Sequence, residues 1–322
     1  MTKYLVSGYI GFDNFGDEAI ASVLIANLKK NGAEKITLLS SNPQKTSKLY
    51  DVDSEYFLNF FKPILETDVL ISGGGSLLQD VTSLKSLIYY LIVIVFALVF
   101  NKKVIIFAQG FTPFRTKIGK ILTGFVLKYC DEIYVRDEKS LELLKLMKIS
   151  SELVSDPVFG IETLPKEHKG VGIQLRSFPT ITEDFLNSLA DNVLENFKDD
   201  EIKLLSLQDS LDLEVLENFS RKLEKRGINS RIYRNDSILE TVETISNLEY
   251  LIGMRFHANL VAVKSGVKVL GINYDVKVEN LANSVSFPLI EIENQVNSEN
   301  FKKVIKTDTA SYKIPDFDFI PL

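Results

Sequence analysis

Apolar and polar positions along this chain alternate between short β-rich runs and longer stretches of helical period. Lys3–Ser7, Lys35–Leu39, Val69–Ser72, Lys103–Ala108 and Glu132–Val135 read as strands, each ending where a polar or glycine-bearing loop begins. Helical patterns fill the intervals near Glu18–Asn31, Leu84–Phe100, Lys117–Cys130 and Lys139–Met147. Another strand closes at Asp156-Pro157, and Leu164–Lys169 is polar and proline-containing, so a domain boundary is placed between residues 165 and 166. The rhythm then restarts. Gly170–Leu175, Ile202–Leu207, Asn229–Tyr233, Tyr250–Gly253 and Lys268–Ile272 read as strands. Thr182–Asn196, Leu213–Arg226, Ser237–Ser246 and Asn259–Ser265 read as the helices between them. After Gln295 come one helix and a proline- and aromatic-rich stretch, Tyr312–Leu322. Such alternation is the signature of parallel βαβ units. The expected fold is α/β: two Rossmann-like, doubly wound lobes (1–165 and 166–322) facing a cleft. Ligands of such sheets sit at the carboxyl ends of the strands, which directs attention to the loops there.

Composition narrows the function classes. The 322 residues are 45% hydrophobic and 25% charged, ordinary for a globular protein. The net charge of −6 argues against general nucleic-acid binding, which needs a basic face. An acidic chain that handles an anion must gather a few cations locally. One cysteine, Cys130, excludes an internal disulfide framework and a multi-thiolate zinc site, and packing as a small apolar side chain is its expected role. His168 and His257 are the only histidines. The start, MTKYLVSGYIGF, lacks the charged-then-apolar layout of a signal peptide, so a cytoplasmic location is expected.

Leu87–Phe100, LIYYLIVIVFALVF, is apolar throughout and bounded by Lys85 and by Lys102-Lys103. As a helix it spans about 21 Å, short of the roughly 30 Å hydrocarbon core of a bilayer. A buried core helix and a helix whose outer face touches the membrane surface both fit it; for the second, the flanking lysines would meet anionic head groups.

Six loops carry candidate chemistry. In GYIGFDNFGDEAI, Gly8, Gly11 and Gly16 are spaced unlike a dinucleotide fingerprint. Two readings stay open there: a turn with Asp17 capping the following helix, or a polar lip presenting Asp13, Asn14 and Asp17 to sugar hydroxyls. SGGGSLLQD, Ser72–Asp80, lacks the Lys-Ser/Thr ending of an NTPase phosphate loop, and exposed amides around Gly74, Gly75 and Ser76 would cradle an anion or a sugar. AQGFTPF, Ala108–Phe114, shapes the same edge. Arg136 directly follows the strand EIYV, placed either for the ligand edge or for a surface pair with Asp137 or Glu138. In GMRFHANLVAVKSG, Arg255 and His257 precede an apolar helix, so a guanidinium, an imidazole and helix-terminal amides are expected to converge in a way that suits phosphate. NYDVK adds Lys277 to that edge.

Taken in order, GYIGFDNFGDEAI, SGGGSLLQDVTSLKSLIYYL, AQGFTPF, VRDEKS, SDPVF, GMRFHANLVAV and NYDVKV resemble the polysaccharide pyruvyl transferase family, specifically its CsaB-type branch. Two details depart from that pattern. Phe256 stands where the family often has leucine, and AQGFTPF lacks the usual isoleucine-glycine pair after its second glycine. The resemblance implies a fold similar to GT-B glycosyltransferases and no cofactor. It implies transfer of pyruvate from phosphoenolpyruvate, as a 4,6-ketal, onto a β-linked N-acetylmannosamine of a lipid-linked precursor of the secondary cell-wall polysaccharide that anchors S-layer proteins. It places the phosphoenolpyruvate contacts on Arg136, Arg255, His257 and Lys277. Contact with the inner membrane surface would follow from a lipid-carried acceptor. His257 and Arg255 are expected to stabilise departing phosphate, His257 also to donate the proton, and Asp17 or Asp80 to act as base on the sugar. Two rivals remain at this stage: a nucleotide-sugar glycosyltransferase of the same architecture, and a non-catalytic carbohydrate-binding scaffold.

Overall fold

The computed structural model describes residues 2–81, 83–164, 167–234, 237–293 and 295–317. The chain forms two compact units, one of residues 1–161 joined by the tail from Asp316, the other of residues 162–315. The boundary expected at 165/166 lies outside the described residues. The tail rejoins the first unit where Phe317 lies over Gly160 and Ser155 donates a hydrogen bond to the Asp316 carbonyl.

The first unit runs β1 (Lys3–Ile10), α1 (Phe15–Lys30), β2 (Lys35–Ser40), α2 (Pro43–Tyr50), β3 (Asp53–Tyr56), α3 (Phe61–Glu66), β4 (Val69–Ser72), α4 (Leu84–Val99), β5 (Lys103–Gln109), α5 (Lys117–Leu127), β6 (Glu132–Val135), α6 (Glu138–Leu146) and β7 (Glu152–Leu153). Its seven strands pair in parallel in the order β3-β2-β1-β4-β5-β6-β7. The second unit runs β8 (Val171–Gln174), α7 (Glu183–Phe197), β9 (Ile202–Ser206), α8 (Asp209–Glu224), β10 (Ser230–Arg234), α9 (Ile238–Ser246), β11 (Tyr250–Gly253), α10 (Phe256–Lys264), β12 (Lys268–Asn273), α11 (Val276–Val285), β13 (Leu289–Glu291) and α12 (Ser298–Ile305). Its six strands are also parallel, in the order β10-β9-β8-β11-β12-β13. Both units are therefore doubly wound α/β domains, as the alternation of patterns required.

Central strands such as β4 (VLIS) and β8 (VGIQ) are buried at every position because helices cover both faces of a parallel sheet. Leu5, Leu70, Ile94 and Ile106 anchor one core and Ile173, Leu204, Phe219 and Ile252 the other. Burial of each such side chain stabilises by about 1.5–3 kcal/mol. The sequence pattern does not reveal β3, whose DSEY is mostly exposed and is joined to β2 by backbone pairing, a Lys35–Asp53 ion pair and a hydrogen bond from Ser54 to the Leu38 carbonyl. It also passes over α11, although Val278, Leu281, Ala282 and Val285 follow a helical spacing behind the cap Asp275.

In a doubly wound sheet, strand order reverses at one point, and the loops diverge there to leave room for a ligand. That point falls between β1 and β4 in the first unit and between β8 and β11 in the second. Cys130 is half-buried, and burial, with the charge of Asp131 beside it, pushes its thiol up to about 12, so it stays a protonated packing group.

Candidate functional site

At the switch point of the first unit, Asn14 rather than Asp17 caps α1, its Oδ1 accepting from the Gly16 amide at 3.2 Å. Asp17 lies in the first turn, takes a 2.5 Å hydrogen bond from Asn14 Nδ2, and sits against the glycine loop; a Cβ on Gly75 would lie 2.7 Å from Asp17 Oδ1. Gly75 has a φ of 96°, so glycine is needed there twice over. Asp13 turns away and pairs with Lys45 at 2.6 Å, in solvent. The polar lip therefore reduces to Asn14 and Asp17.

The expectation of exposed amides through the glycine loop does not hold. Gly73, Gly74 and Gly75 are buried. The Gly73 amide is bonded to the Ser7 carbonyl at 2.7 Å, and Gly74 is small because α1 passes close, with Ile20 Cγ2 2.8 Å from where its Cβ would be. Of the three contacts expected on this loop, Gly74, Gly75 and Ser76, only Ser76 is partly open.

Arg136, at the end of β6, joins this cluster. Its Nη1 meets Asp156 at 2.8 Å and its Nη2 reaches Ser76 Oγ at 3.3 Å. A Cβ on Gly110 would lie 2.9 Å from Arg136 Nε, so the guanidinium lies across that glycine. The side chains of Arg136 and Asp156 are only 5% and 3% exposed. This is a buried pair, unlike the surface pair with Asp137 or Glu138 that the sequence left open; Asp137 instead caps α6. Behind the site, Gln109 donates to Ser72 Oγ at 2.8 Å and ties the two strand ends together.

Asp80 stands apart as a structural link. Its buried carboxylate accepts from the Arg115 amide (2.7 Å), the Thr116 amide (2.8 Å) and Thr116 Oγ1 (2.5 Å), clamping the approach to α5. Burial acts to raise its pKa, but these hydrogen bonds outweigh it and hold the carboxyl below its ordinary value. A general base needs the opposite, so the expectation of Asp80 as a base is corrected.

Glu18 is another buried acid of this unit. It accepts from the Gly11 amide at 2.7 Å and from the Tyr50 hydroxyl, fastening the β1–α1 loop to α2. Burial pushes its carboxyl above the ordinary 4.5 despite both hydrogen bonds. A carboxyl raised in the folded state contributes stability that is fully present below its unfolded pKa and is lost as pH rises through the folded one. Glu18→Gln keeps an acceptor for Gly11 without that loss. The variant is therefore expected to gain on the wild type in melting temperature as pH rises from about 4 towards 7. A gap that stays constant with pH would place the burial cost elsewhere.

The second unit carries a denser constellation. Arg255 is the residue before α10, but its guanidinium does not stand free over the helix start. It folds back onto Asp212 of α8, with Nε 3.0 Å from Oδ2 and Nη2 2.6 Å from Oδ1, while Gln208 Oε1 accepts from Nη2 at 3.2 Å. Its backbone amide is taken by Gln174 Oε1 at 2.8 Å. The picture of a bare guanidinium converging with open amides is thus corrected: this arginine is a neutralised, rigidly held donor. Asp212, fully buried, also accepts from the amides of Leu207 (2.9 Å) and Gln208 (3.0 Å) and from Gln174 Nε2 (3.3 Å). One carboxylate thereby joins the ends of β8, β9 and β11.

His257 lies in the first turn of α10, half-buried and edge-on to Phe256 at 4.9 Å. Asn259 bonds back to the Gly253 carbonyl at 3.0 Å, leaving its buried Oδ1 without a hydrogen bond. Lys277 is half-buried in the first turn of α11, just beyond the end of β12.

Arg176, which the sequence reading passed over, completes this edge. It lies two residues beyond β8, on the opposite side of the switch point from Arg255. Its guanidinium lies 5.6 Å from the centre of the Tyr274 ring, its Nε is buried without a hydrogen bond, and it has no carboxylate partner among the described residues. Burial pushes the Tyr274 phenol up, while the charges of Arg176 and Arg255 pull the other way. The signal was present in the sequence: an arginine immediately after an apolar strand, the pattern that marked Arg136. Asp212 carried no such local signal.

The sequence model of the polysaccharide pyruvyl transferase family matches residues 14–276, a span that holds Asp17, Ser76, Arg136, Arg176, Arg255 and His257 and stops one residue short of Lys277. The chain belongs to this family. No curated protein matches it in sequence. Solved structures that this pyruvyl transferase family member is similar to include the UDP-GlcNAc 2-epimerase of Methanocaldococcus jannaschii (12% identity, TM-score 0.70, covering 99% of this chain and 96% of that one). The S. aureus MnaA–UDP co-structure (10%, TM-score 0.66, 97% and 90%) and the Neisseria meningitidis UDP-GlcNAc 2-epimerase bound to UDP-GlcNAc (12%, TM-score 0.65, 98% and 94%) are similar too. At such identities they speak for a shared GT-B-type fold alone.

Proposed function

We propose that the protein transfers pyruvate from phosphoenolpyruvate onto the 4- and 6-hydroxyls of a β-N-acetylmannosamine unit on a lipid-linked cell-wall polysaccharide precursor, as in the CsaB-type branch, working at the cytoplasmic membrane face. The observation that carries this reading is the strand edge of the second unit. Arg176 brings a cation without an acidic partner among the described residues, Arg255 a donor fork locked by Asp212, and His257 and Lys277 lie in the first turns of the two adjoining helices. A donor carrying a carboxylate and a phosphate needs such a set, because permanent cations and oriented N–H groups offset close to three negative charges.

In the proposed reaction, the enol carbon C3 takes a proton, supplied by His257, and C2 becomes an oxocarbenium. One sugar hydroxyl bonds to C2, the C2–O bond to phosphate breaks, and the second hydroxyl closes a six-membered ketal. One hydroxyl proton replaces the one delivered to C3 and the other leaves with phosphate. Arg176 and Arg255 would stabilise the departing phosphate where its charge develops. Asp17, oriented by Asn14, is the base proposed for the acceptor, with Ser76 beside it. Arg136→Ala tests the donor contact that its family position implies.

The test is incubation with phosphoenolpyruvate and a soluble β-N-acetylmannosaminide, reading phosphate release and product mass. A product with the mass of a pyruvyl ketal, together with stoichiometric phosphate, is expected. The UDP-bearing fold neighbours motivate the rival, a nucleotide-sugar glycosyltransferase. Thermal protection by a UDP-sugar and none by phosphoenolpyruvate would favour that rival and overturn the proposal.

A further inference from the structure

We propose that the outer face of α3, α4 and α5 is a docking surface for an anionic lipid bilayer. This deepens the reading of a lipid-linked acceptor and takes its biological sense from it, while the surface argument stands on its own observations.

The three helices lie side by side on the first unit. On α4 the inward residues Leu87, Leu91 and Ile94 fill the core, yet Ile88, Ile92, Val95 and Val99 form an equally regular stripe facing solvent. An amphipathic helix of a water-exposed domain carries polar residues on that side. The stripe continues in both directions. On α5 and the turn after it, Ile118, Ile121, Phe125 and Tyr129 repeat the same spacing, with Ile121 67% and Phe125 61% exposed. On the other flank, exposed Phe61 of α3 meets Phe100 edge-on at 5.7 Å. An apolar surface of this breadth marks an interaction site. No helix among the described residues is long and apolar enough to cross a membrane, so the fitting arrangement is helices lying flat at the interface.

Charge identifies the occupant. Between Asp80 and Asp131 the chain has no acidic residue and seven Lys and Arg, in a protein whose net charge is −6. Lys117, Lys120 and Lys128, on and just beyond α5, are exposed and form no ion pair among the described residues. Apolar side chains rimmed by unpaired lysines fit acyl chains beneath anionic head groups. A second copy of the chain fits poorly, because a two-fold contact would bring basic rim against basic rim.

The test is flotation of the full chain with vesicles of phosphatidylcholine alone or mixed with phosphatidylglycerol. The wild type is expected to float with the mixed vesicles and far less with the neutral ones. Ile121→Glu/Phe125→Glu is expected to lose binding at least tenfold, and Lys117→Ser/Lys120→Ser to lose about fivefold per lysine on mixed vesicles only. These positions are on the surface, so melting temperatures and turnover of the soluble acceptor should stay at wild-type values. The chain has no tryptophan, so Phe125→Trp installs a single fluorophore whose emission should shift to the blue on adding mixed vesicles. Three results would overturn the proposal: wild type that stays unbound, variants that float like wild type, or a dimer that Ile121→Glu/Phe125→Glu disperses. Vesicle binding without phosphate release from phosphoenolpyruvate would leave the docking surface standing and remove the pyruvyl-transfer reading.

Discussion

Replacing Asp212 by alanine is expected to destabilise the second unit by about 3–5 kcal/mol and to abolish turnover. The reason is that the carboxylate is fully buried and Arg255 nearly so, at 8% exposure. Removing the acid leaves a guanidinium in a dry site with nothing to offset its charge, and the amides of Leu207 and Gln208 lose their acceptor as well. The corresponding fall in melting temperature is on the order of 10 °C. A buried pair does not by itself favour folding strongly, since desolvation of both ions nearly cancels their attraction. Asp212→Ala/Arg255→Met should therefore recover much of the lost stability and none of the activity. A double variant as unstable as the single one would mean that Asp212 acts through the backbone amides rather than through Arg255.

Substituting Arg176 is expected to separate binding from folding. Its guanidinium contacts the Tyr274 ring and no carboxylate among the described residues, so no buried charge is orphaned when it goes. For Arg176→Ala the expected change in stability is within about 1 kcal/mol, typical of a residue at a surface edge. The KM for phosphoenolpyruvate should rise about 10- to 100-fold, as loss of a charge-assisted hydrogen bond of about 1.5–3 kcal/mol requires. Arg176→Lys retains the charge without the planar fork and should fall between the two. An unchanged KM in both variants would remove Arg176 from the donor site. The contrast between Arg176 and Arg255 gives each arginine a distinct physical role, one a loosely held cation and the other a fixed donor.

The candidate site was legible in the sequence as residue types at strand ends. Asp17, Ser76, Arg136, Arg255, His257 and Lys277 all lie just beyond strands or in the first turns of helices. Their electrostatic state was not legible. The sequence suggested a set of permanent cations, whereas Arg136 and Arg255 are each committed to a buried aspartate. Asp80 looked like a candidate base because it ends a glycine loop, but its oxygens are consumed by Arg115 and Thr116, some 35 residues further along the chain. The buried amides of Gly73–Gly75 were misjudged for a related reason. Glycine-rich runs suit ligand contact and tight packing equally well, and only the neighbours Ile20 and Asp17 decide between the two.

By itself the sequence determined the alternation of elements, the parallel two-unit architecture, the family, and the strand ends where chemistry resides. Those properties depend on period, caps and loop residues, which act over a few positions. Tertiary structure alone decided which charges are compensated, because Arg136 meets an acid 20 residues away and Arg255 one 43 residues away, across strand crossovers that no local pattern encodes. It also decided that the apolar run of α4 divides into a core face and an outward face continuous with α5. Burial is a property of what lies alongside a helix in space, and the spacing of its own residues leaves that neighbour unnamed.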